Sequence, residues 1–170
     1  RRHRHSSAPR RRAPHPDGEG ERVMPMTSAG PGVRRMSLVP IAWLKAHEEF
    51  VDARVREVLE NFRRQGAVDF AIVADAKTGT VIDGHHRLEA LKRLHAALVP
   101  AHLVDYMDPS VAVRNWRENE TPVTKEEIIA HAAEGKLFPP KTTRHDLVRV
   151  LDPVNVPLAE LMDERMPRGF

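Results

Sequence analysis

The run Asp83-Gly84-His85-His86-Arg87 stands between Thr80-Val81-Ile82, which reads as β-strand, and a helical stretch with Leu88, Leu91 and Leu94 on one face. A helix start leaves backbone N–H groups unpaired and carries partial positive charge, so it is an anion site whose usual occupant is phosphate. Gly84 permits a sharp turn or a close backbone approach. His85, His86 and Arg87 add side chains able to donate to phosphate. Taken singly, these residues are ordinary. Asp83 suits a helix N-cap, Gly84 a turn, and a lone histidine packs or faces solvent. An arginine in a first helical turn, however, opposes the helix dipole and calls for an anion nearby. The five together mark a functional site.

Around this turn the hydrophobic pattern places alternating elements. Met36 to Trp43 reads as a strand leading into a turn. Asp52 is expected to cap a helix whose apolar stripe is Val55, Val58, Leu59 and Phe62, closed by Gly66. Phe70 to Ala74 and Thr80 to Ile82 form a hairpin around Asp75 to Gly79. A helix is expected over His86 to Ala96 and a strand over Val99 to Tyr106. Asp108-Pro109 reads as the cap and first residue of a helix through Arg117. Thr124 and Glu127 have capping-box spacing before Ile128 and Ile129, and Gly135 ends that helix. Phe138 to His145 reads as a loop, and Pro157 to Glu164 as a last short helix. Helices and strands interleave around one small mixed sheet, an α+β fold with flanking helices.

Charge divides the chain. Residues 1–35 hold nine arginines against three acidic residues, whereas the remainder holds 18 basic and 21 acidic residues. That basic segment has no hydrophobic period and is expected to be a disordered tail, leaving one domain over residues 36–170. The high pI therefore belongs to the tail, and nucleic acid is not expected as a partner except through it. The absence of cysteine excludes a disulfide framework, thiol catalysis and cysteine-ligated metal. It suits a cytoplasmic protein. No apolar run approaches the roughly 20 residues that span a bilayer, and no membrane partner is expected.

Two further clusters carry chemistry. In His47-Glu48-Glu49 a carboxylate can serve as general base if it faces a pocket; otherwise the three form a solvated turn before a helix. Lys141-Thr142-Thr143-Arg144-His145 gathers two cations, two hydroxyls and an imidazole behind Pro139-Pro140. Such a cluster suits a carboxylate or phosphate on a small ligand, or is a charged surface loop. Trp116, expected on the helix between these sites, is either core or a pocket wall. There is no P-loop, no protein-kinase signature and no zinc-ligand spacing.

On these residues the chain resembles the ParB/sulfiredoxin-like superfamily, and within it the free L-serine kinases. The resemblance covers about residues 36–150. It rests on Lys45-Ala46-His47-Glu48-Glu49, Val81 to Arg87, Val104-Asp105-Tyr106, Thr124 to Glu127 and Phe138 to His145. It implies Mg²⁺-dependent phosphoryl transfer from ATP or ADP to the hydroxyl of free L-serine, giving O-phosphoserine. By that likeness Glu48 is the base on the serine hydroxyl, and Asp83 lies at the reaction centre, near metal or hydroxyl. Gly84, His85, His86 and Arg87 would cradle phosphate. Lys141, Thr142, Thr143, Arg144 and His145 would hold the amino acid, with Trp116 beside it. Phosphoryl transfer asks mainly for positioning and charge stabilisation, which these clusters supply. The alternative is a nucleotide-binding, DNA-associated regulator of the ParB type without kinase activity. Sulfiredoxin activity is excluded, because it needs a cysteine.

Overall fold

The computed structural model describes residues 33–117, 120–147 and 151–162 of the chain. Strand β1 (Val33–Pro40) runs into a single 3₁₀ turn, Ile41–Trp43. Its start lies three residues inside the segment expected to be tail; residues 1–32 are outside the described residues. Helix α1 (Asp52–Gln65) follows, then β2 (Ala67–Val68), β3 (Ile72–Asp75), β4 (Val81–Asp83) and α2 (His85–Arg93). The second half contains β5 (Leu98–Val104), β6 (Val111–Asn115), α3 (Lys125–Glu134), β7 (Thr143–Leu147), β8 (Val156–Pro157) and α4 (Leu158–Leu161).

Among the described residues the main sheet has the strand order β1-β5-β3-β4. Only the β3–β5 pairing is parallel; β1–β5 and β3–β4 are antiparallel. Strand β3 is buried along its whole length, and its alternation shows why. Ile72 and Ala74 face one apolar cluster, with Val55, Phe62, Leu88 and Leu91 from α1 and α2. Val73 faces another, with Ile82, Val104, Tyr106, Val111 and Ile128. The sheet is thus covered on both faces. This is the small mixed sheet with flanking helices that the pattern implies.

Local chemistry explains most element ends. Gly66 and Gly135 close α1 and α3 in the left-handed conformation. The capping box of α3 is complete: Glu127 N–H donates to Thr124 Oγ1 at 3.2 Å, and Thr124 N–H donates to the Glu127 carboxylate at 2.8 Å. Gly79 turns the β3–β4 hairpin at φ 73°, where a Cβ would collide with the Trp43 carbonyl.

Several expectations need correction. Residues 108–117 are not helical. Asp108 uses its carboxylate to accept Ser110 N–H at 2.8 Å, making a turn, and Val111-Ala112-Val113-Arg114-Asn115 is strand β6. Its alternation of valine with smaller or charged residues is the period-two signal. Its antiparallel partner, β7, takes up the last three residues of what reads as a loop through His145. Asp52 is not a cap but the first residue of α1; its carboxylate receives Arg93 at 2.7 Å and ties α1 to α2. Asp83 does not cap α2, whose N-cap is Gly84 with no side-chain hydrogen bond. Helix α4 spans only Leu158–Leu161, and Pro157 pairs with Ala67 instead; residues 163 and 164 lie outside the described residues.

Candidate active site

A cleft of about 1420 Å³ opens where β4 passes into α2, and all three sequence clusters reach it. Gly84 makes the turn at φ 107°, a conformation open mainly to glycine. A Cβ there would press on Ile72 at 3.0 Å and on the Arg87 guanidinium at 3.3 Å. The first N–H groups of α2 have no partner within the helix, and they meet the cleft at this corner.

The side chains of the turn are themselves anchored. Arg87 donates to the Ala71 carbonyl at 2.6 Å and to Asp83 at 2.7 Å, and its side chain is only 20% exposed. Asp83 is solvent-facing at the cleft edge. His86 Nε2 accepts Val51 N–H at 3.1 Å, which joins the start of α1 to the start of α2. His85 lies edge-on to His47, with ring centroids 4.5 Å apart. Burial, reinforced by the neighbouring His47 and His145, holds the His85 imidazole well below the ordinary histidine value. His86 is lowered too, first by burial and then by Arg54. Both rings are neutral at neutral pH.

Glu48 is the best-held carboxylate of the cleft. Its Oε1 accepts Lys141 N–H at 2.8 Å, and its Oε2 accepts both the N–H and the hydroxyl of Thr143, at 3.1 and 3.0 Å. The backbone fixes the same approach. Phe138 N–H donates to the His47 carbonyl at 2.8 Å, and Glu49 N–H donates to the Phe138 carbonyl at 2.9 Å. Glu49 also borders the cleft, but none of the described residues restrains its carboxylate.

The second cluster forms the opposite wall. Lys141 adopts φ 60°, which turns the loop into β7. Thr142 is not among the residues lining the cleft; its hydroxyl donates to the Pro139 carbonyl at 2.8 Å. Trp116 lies just beyond β6 rather than on a helix, 50% exposed, with the Arg144 guanidinium 5.4 Å over its ring. The structure thus brings Glu48, the Asp83 turn, Trp116, Lys141, Thr143, Arg144 and His145 to one cleft.

Two polar residues beneath the cleft carry no assigned role in the sequence reading. His47 is fully buried, with Nε2 3.1 Å from Thr143 Oγ1. Its imidazole is held at about 4, chiefly by burial and then by His145, against the opposing pull of the Val81 backbone. Tyr106 is the other, its hydroxyl 2.6 Å from His145 Nε2. Both occur within quoted motifs. A polar side chain in an otherwise apolar, buried register was the available signal.

No family model matches the chain. Over 83 residues it is 39% identical to a protein of Desulfurococcus mucosus named ATP-dependent L-serine kinase, covering 46% of this chain and 32% of that protein. A protein of the same name from Staphylothermus marinus is 37% identical over 83 residues, or 33% of its length. The match therefore spans about a third of these relatives. Among solved structures, free serine kinase in complex with AMP superposes with a TM-score of 0.68 at 18% identity, covering 74% of this chain and 93% of that one. A conserved hypothetical protein from Pyrococcus furiosus gives 0.69 at 18% identity, covering 75% and 97%. The fold is shared with free serine kinase, and the sequence likeness is to L-serine kinases, as the motifs imply.

Proposed function

We propose that this chain transfers a phosphoryl group from ATP or ADP to the hydroxyl of free L-serine, giving O-phosphoserine. The observation that carries the reading is the clamped Glu48 carboxylate sharing a cleft with the first turn of α2. A base must be immobile and correctly aimed, and an anion site must present fixed donors. Both requirements are supported here by independent parts of the chain.

The serine oxygen attacks the terminal phosphorus of the nucleotide. A new O–P bond forms, the bond from that phosphorus to the bridging oxygen breaks, and the shortened nucleotide leaves. The hydroxyl proton passes to the Glu48 carboxylate. The α2 N–H groups, with His85, His86 and Arg87, face the phosphates across the turn that Gly84 permits. Arg87 acts there through a guanidinium already braced on Ala71 and Asp83. Lys141, Thr143, Arg144 and His145, with Trp116, receive the amino acid. The Thr142 hydroxyl shapes the loop.

Mg²⁺ fits this arrangement in one way. Among the described residues no three histidine, aspartate or glutamate side chains gather into a metal cage. Mg²⁺ in phosphoryl transfer is held by one or two carboxylates with phosphate and water oxygens, and the solvent-facing Asp83 is the carboxylate that would hold it. The ion would supply charge neutralisation at the phosphates. The reading takes the enzyme as cytoplasmic and free of membrane partners. Among the described residues no helix is long and apolar enough to cross a membrane.

Incubation with Mg²⁺, ATP or ADP and a panel of free amino acids, followed by mass spectrometry, tests the proposal. O-phosphoserine is the expected product. Absence of any phosphoamino acid, together with tight, salt-steep DNA binding, would favour the ParB-type regulator.

A further inference from the structure

Tyr106 lies in a motif, Val104-Asp105-Tyr106, for which phosphoryl transfer itself gives no task. Its side chain is 0% exposed, packed with Val73, Ile82 and Ile128. A buried phenol must deliver its proton to an acceptor. Among the described residues the hydrogen-bond partner of this hydroxyl is His145 Nε2, at 2.6 Å. Lys125 Nζ lies 5.5 Å over the Tyr106 ring and accepts nothing. Burial, then the Asp75 carboxylate, pushes the phenol above its ordinary value, so the proton stays on the oxygen.

This fixes the histidine. A neutral imidazole carries one N–H, and a nitrogen that accepts cannot also donate. With Nε2 taken by Tyr106, the proton resides on Nδ1, which has no partner among the described residues. His145 is neutral at neutral pH: burial holds it at about 4, with Lys125 acting the same way and Asp83 and Asp146 opposing. Its histidine neighbours are neutral as well: His47 meets it edge-on at 5.7 Å, and His85 is held well below the ordinary histidine value, chiefly by burial. His145 borders the cleft beside Lys141 and Arg144. A neutral donor among cations recognises an acceptor anion and rejects an ammonium group.

We infer that Tyr106 is a positioning residue that holds His145 in the Nδ1–H tautomer, so that the ring offers a neutral donor to the carboxylate of the amino-acid substrate. The inference rests on the serine-kinase reading. The transferred phosphoryl group is the other anionic acceptor of this chemistry, and kinetics separate the two.

Long-range ¹⁵N–¹H NMR of the full chain, labelled at histidine and free of substrate, records the tautomer. The expected result is Nδ1–H for His145 in the parent and a mixed or reversed tautomer in Tyr106→Phe. A parent His145 that is Nε2–H or charged at neutral pH overturns the inference. In steady state, Tyr106→Phe is expected to raise the KM for serine about 10-fold, with kcat and the nucleotide KM within about threefold. No rise, or a rise confined to the nucleotide KM, overturns it. If Tyr106→Phe does not fold, His145→Asn and His145→Gln carry the test, since the Asn amide reaches the Nδ1 position and the Gln amide the Nε2 position. Both lose the ring, but Gln is expected to raise the serine KM about 10-fold more than Asn does; equal effects, or a larger rise in Asn, overturn the inference. A parent that phosphorylates no serine overturns the kinase reading, and the tautomer, recorded on the protein alone, tells that failure from a failure of the Tyr106 contact.

Discussion

Glu48 accepts both the backbone N–H and the hydroxyl of Thr143, at 3.1 and 3.0 Å, across 95 positions of chain. With Lys141 N–H on the other oxygen, both carboxylate oxygens face fixed donors. The orientation of the base is therefore set by the loop that holds the amino-acid substrate in the proposed reaction.

Replacement Glu48→Gln tests the base. General-base assistance is typically worth about 10²–10⁴ in rate, and kcat is expected to fall by that order. Nucleotide affinity should change little, because the proposed phosphate site is the α2 turn, not Glu48. The geometry adds a second effect. Whichever way the new amide turns, its NH₂ faces an N–H donor, so local stability should fall by about 1–3 kcal/mol. Product assays, calorimetry with nucleotide and urea denaturation separate the effects; turnover of serine at the parent rate would move the role of base to Glu49.

Arg87→Ala should act on folding as well as on nucleotide binding. The arginine braces the Ala71 carbonyl and Asp83. Its removal leaves a buried carbonyl unpaired, a loss of about 1–3 kcal/mol. Nucleotide affinity should weaken by a similar amount, about 1.5–3 kcal/mol for a hydrogen bond to a charged group. Unchanged affinity in a folded variant would show that the guanidinium braces the turn and does not serve the phosphates.

Gly84→Ala probes the turn alone. At φ 107° a side chain is strained, and the new Cβ would meet Ile72 and Arg87. The expected destabilisation is about 1–3 kcal/mol, with nucleotide binding lost in parallel as the α2 N–H groups shift. A variant of parental melting temperature and affinity would refute the close-approach account of this glycine.

Stability should also depend on pH in a defined window. His47 and His145 are held at about 4 against an ordinary 6.5. Between these values the unfolded chain takes up protons that the folded chain refuses, so acidification favours unfolding. Their contribution is complete above 6.5 and is lost as pH falls towards 4. For the fully buried His47 the limiting slope is about 1.4 kcal/mol per pH unit. Urea midpoints measured near pH 7 and near pH 5 should differ, and His145→Asn should narrow the difference. A midpoint gap of the same size in that variant would exclude a contribution from His145.

The clusters that line the candidate cleft were legible in sequence because their residue types are unusual together and local in the chain. Gly84 and the helix after it, the hairpin at Gly79 and the capping box at Thr124 follow from short-range rules and stand where the pattern places them. The stretch from Asp108 to Arg117 does not. Asp-Pro matches a helix start, yet Val111 and Val113 find a partner strand 32 to 36 positions away, and tertiary pairing overrides the local cue. Trp116 therefore ends beside a strand, stacked on Arg144, instead of on a helix. The anchoring of Arg87 on Ala71 and of His86 on Val51 was equally illegible, since neither partner is announced by its own side chain.

The parallel bridge between Glu48 and Phe138 joins segments about 90 residues apart by backbone hydrogen bonds from Glu49 and Phe138. Besides these two bonds, the donors on Glu48, the His47–Thr143 contact and the stacked His131 and Phe138 rings hold a seam that closes a very long loop, while the four-stranded sheet beneath it has its own core. The seam is thus the natural place for the molecule to come apart first. Mild heat or denaturant would free the Phe138–Thr143 segment, and Glu48 would swing untethered over an intact sheet. Such a molecule would keep its circular dichroism and the α2 corner but lose the aim of Glu48, so turnover in the proposed reaction and melting would read as two separate thermometers of one chain.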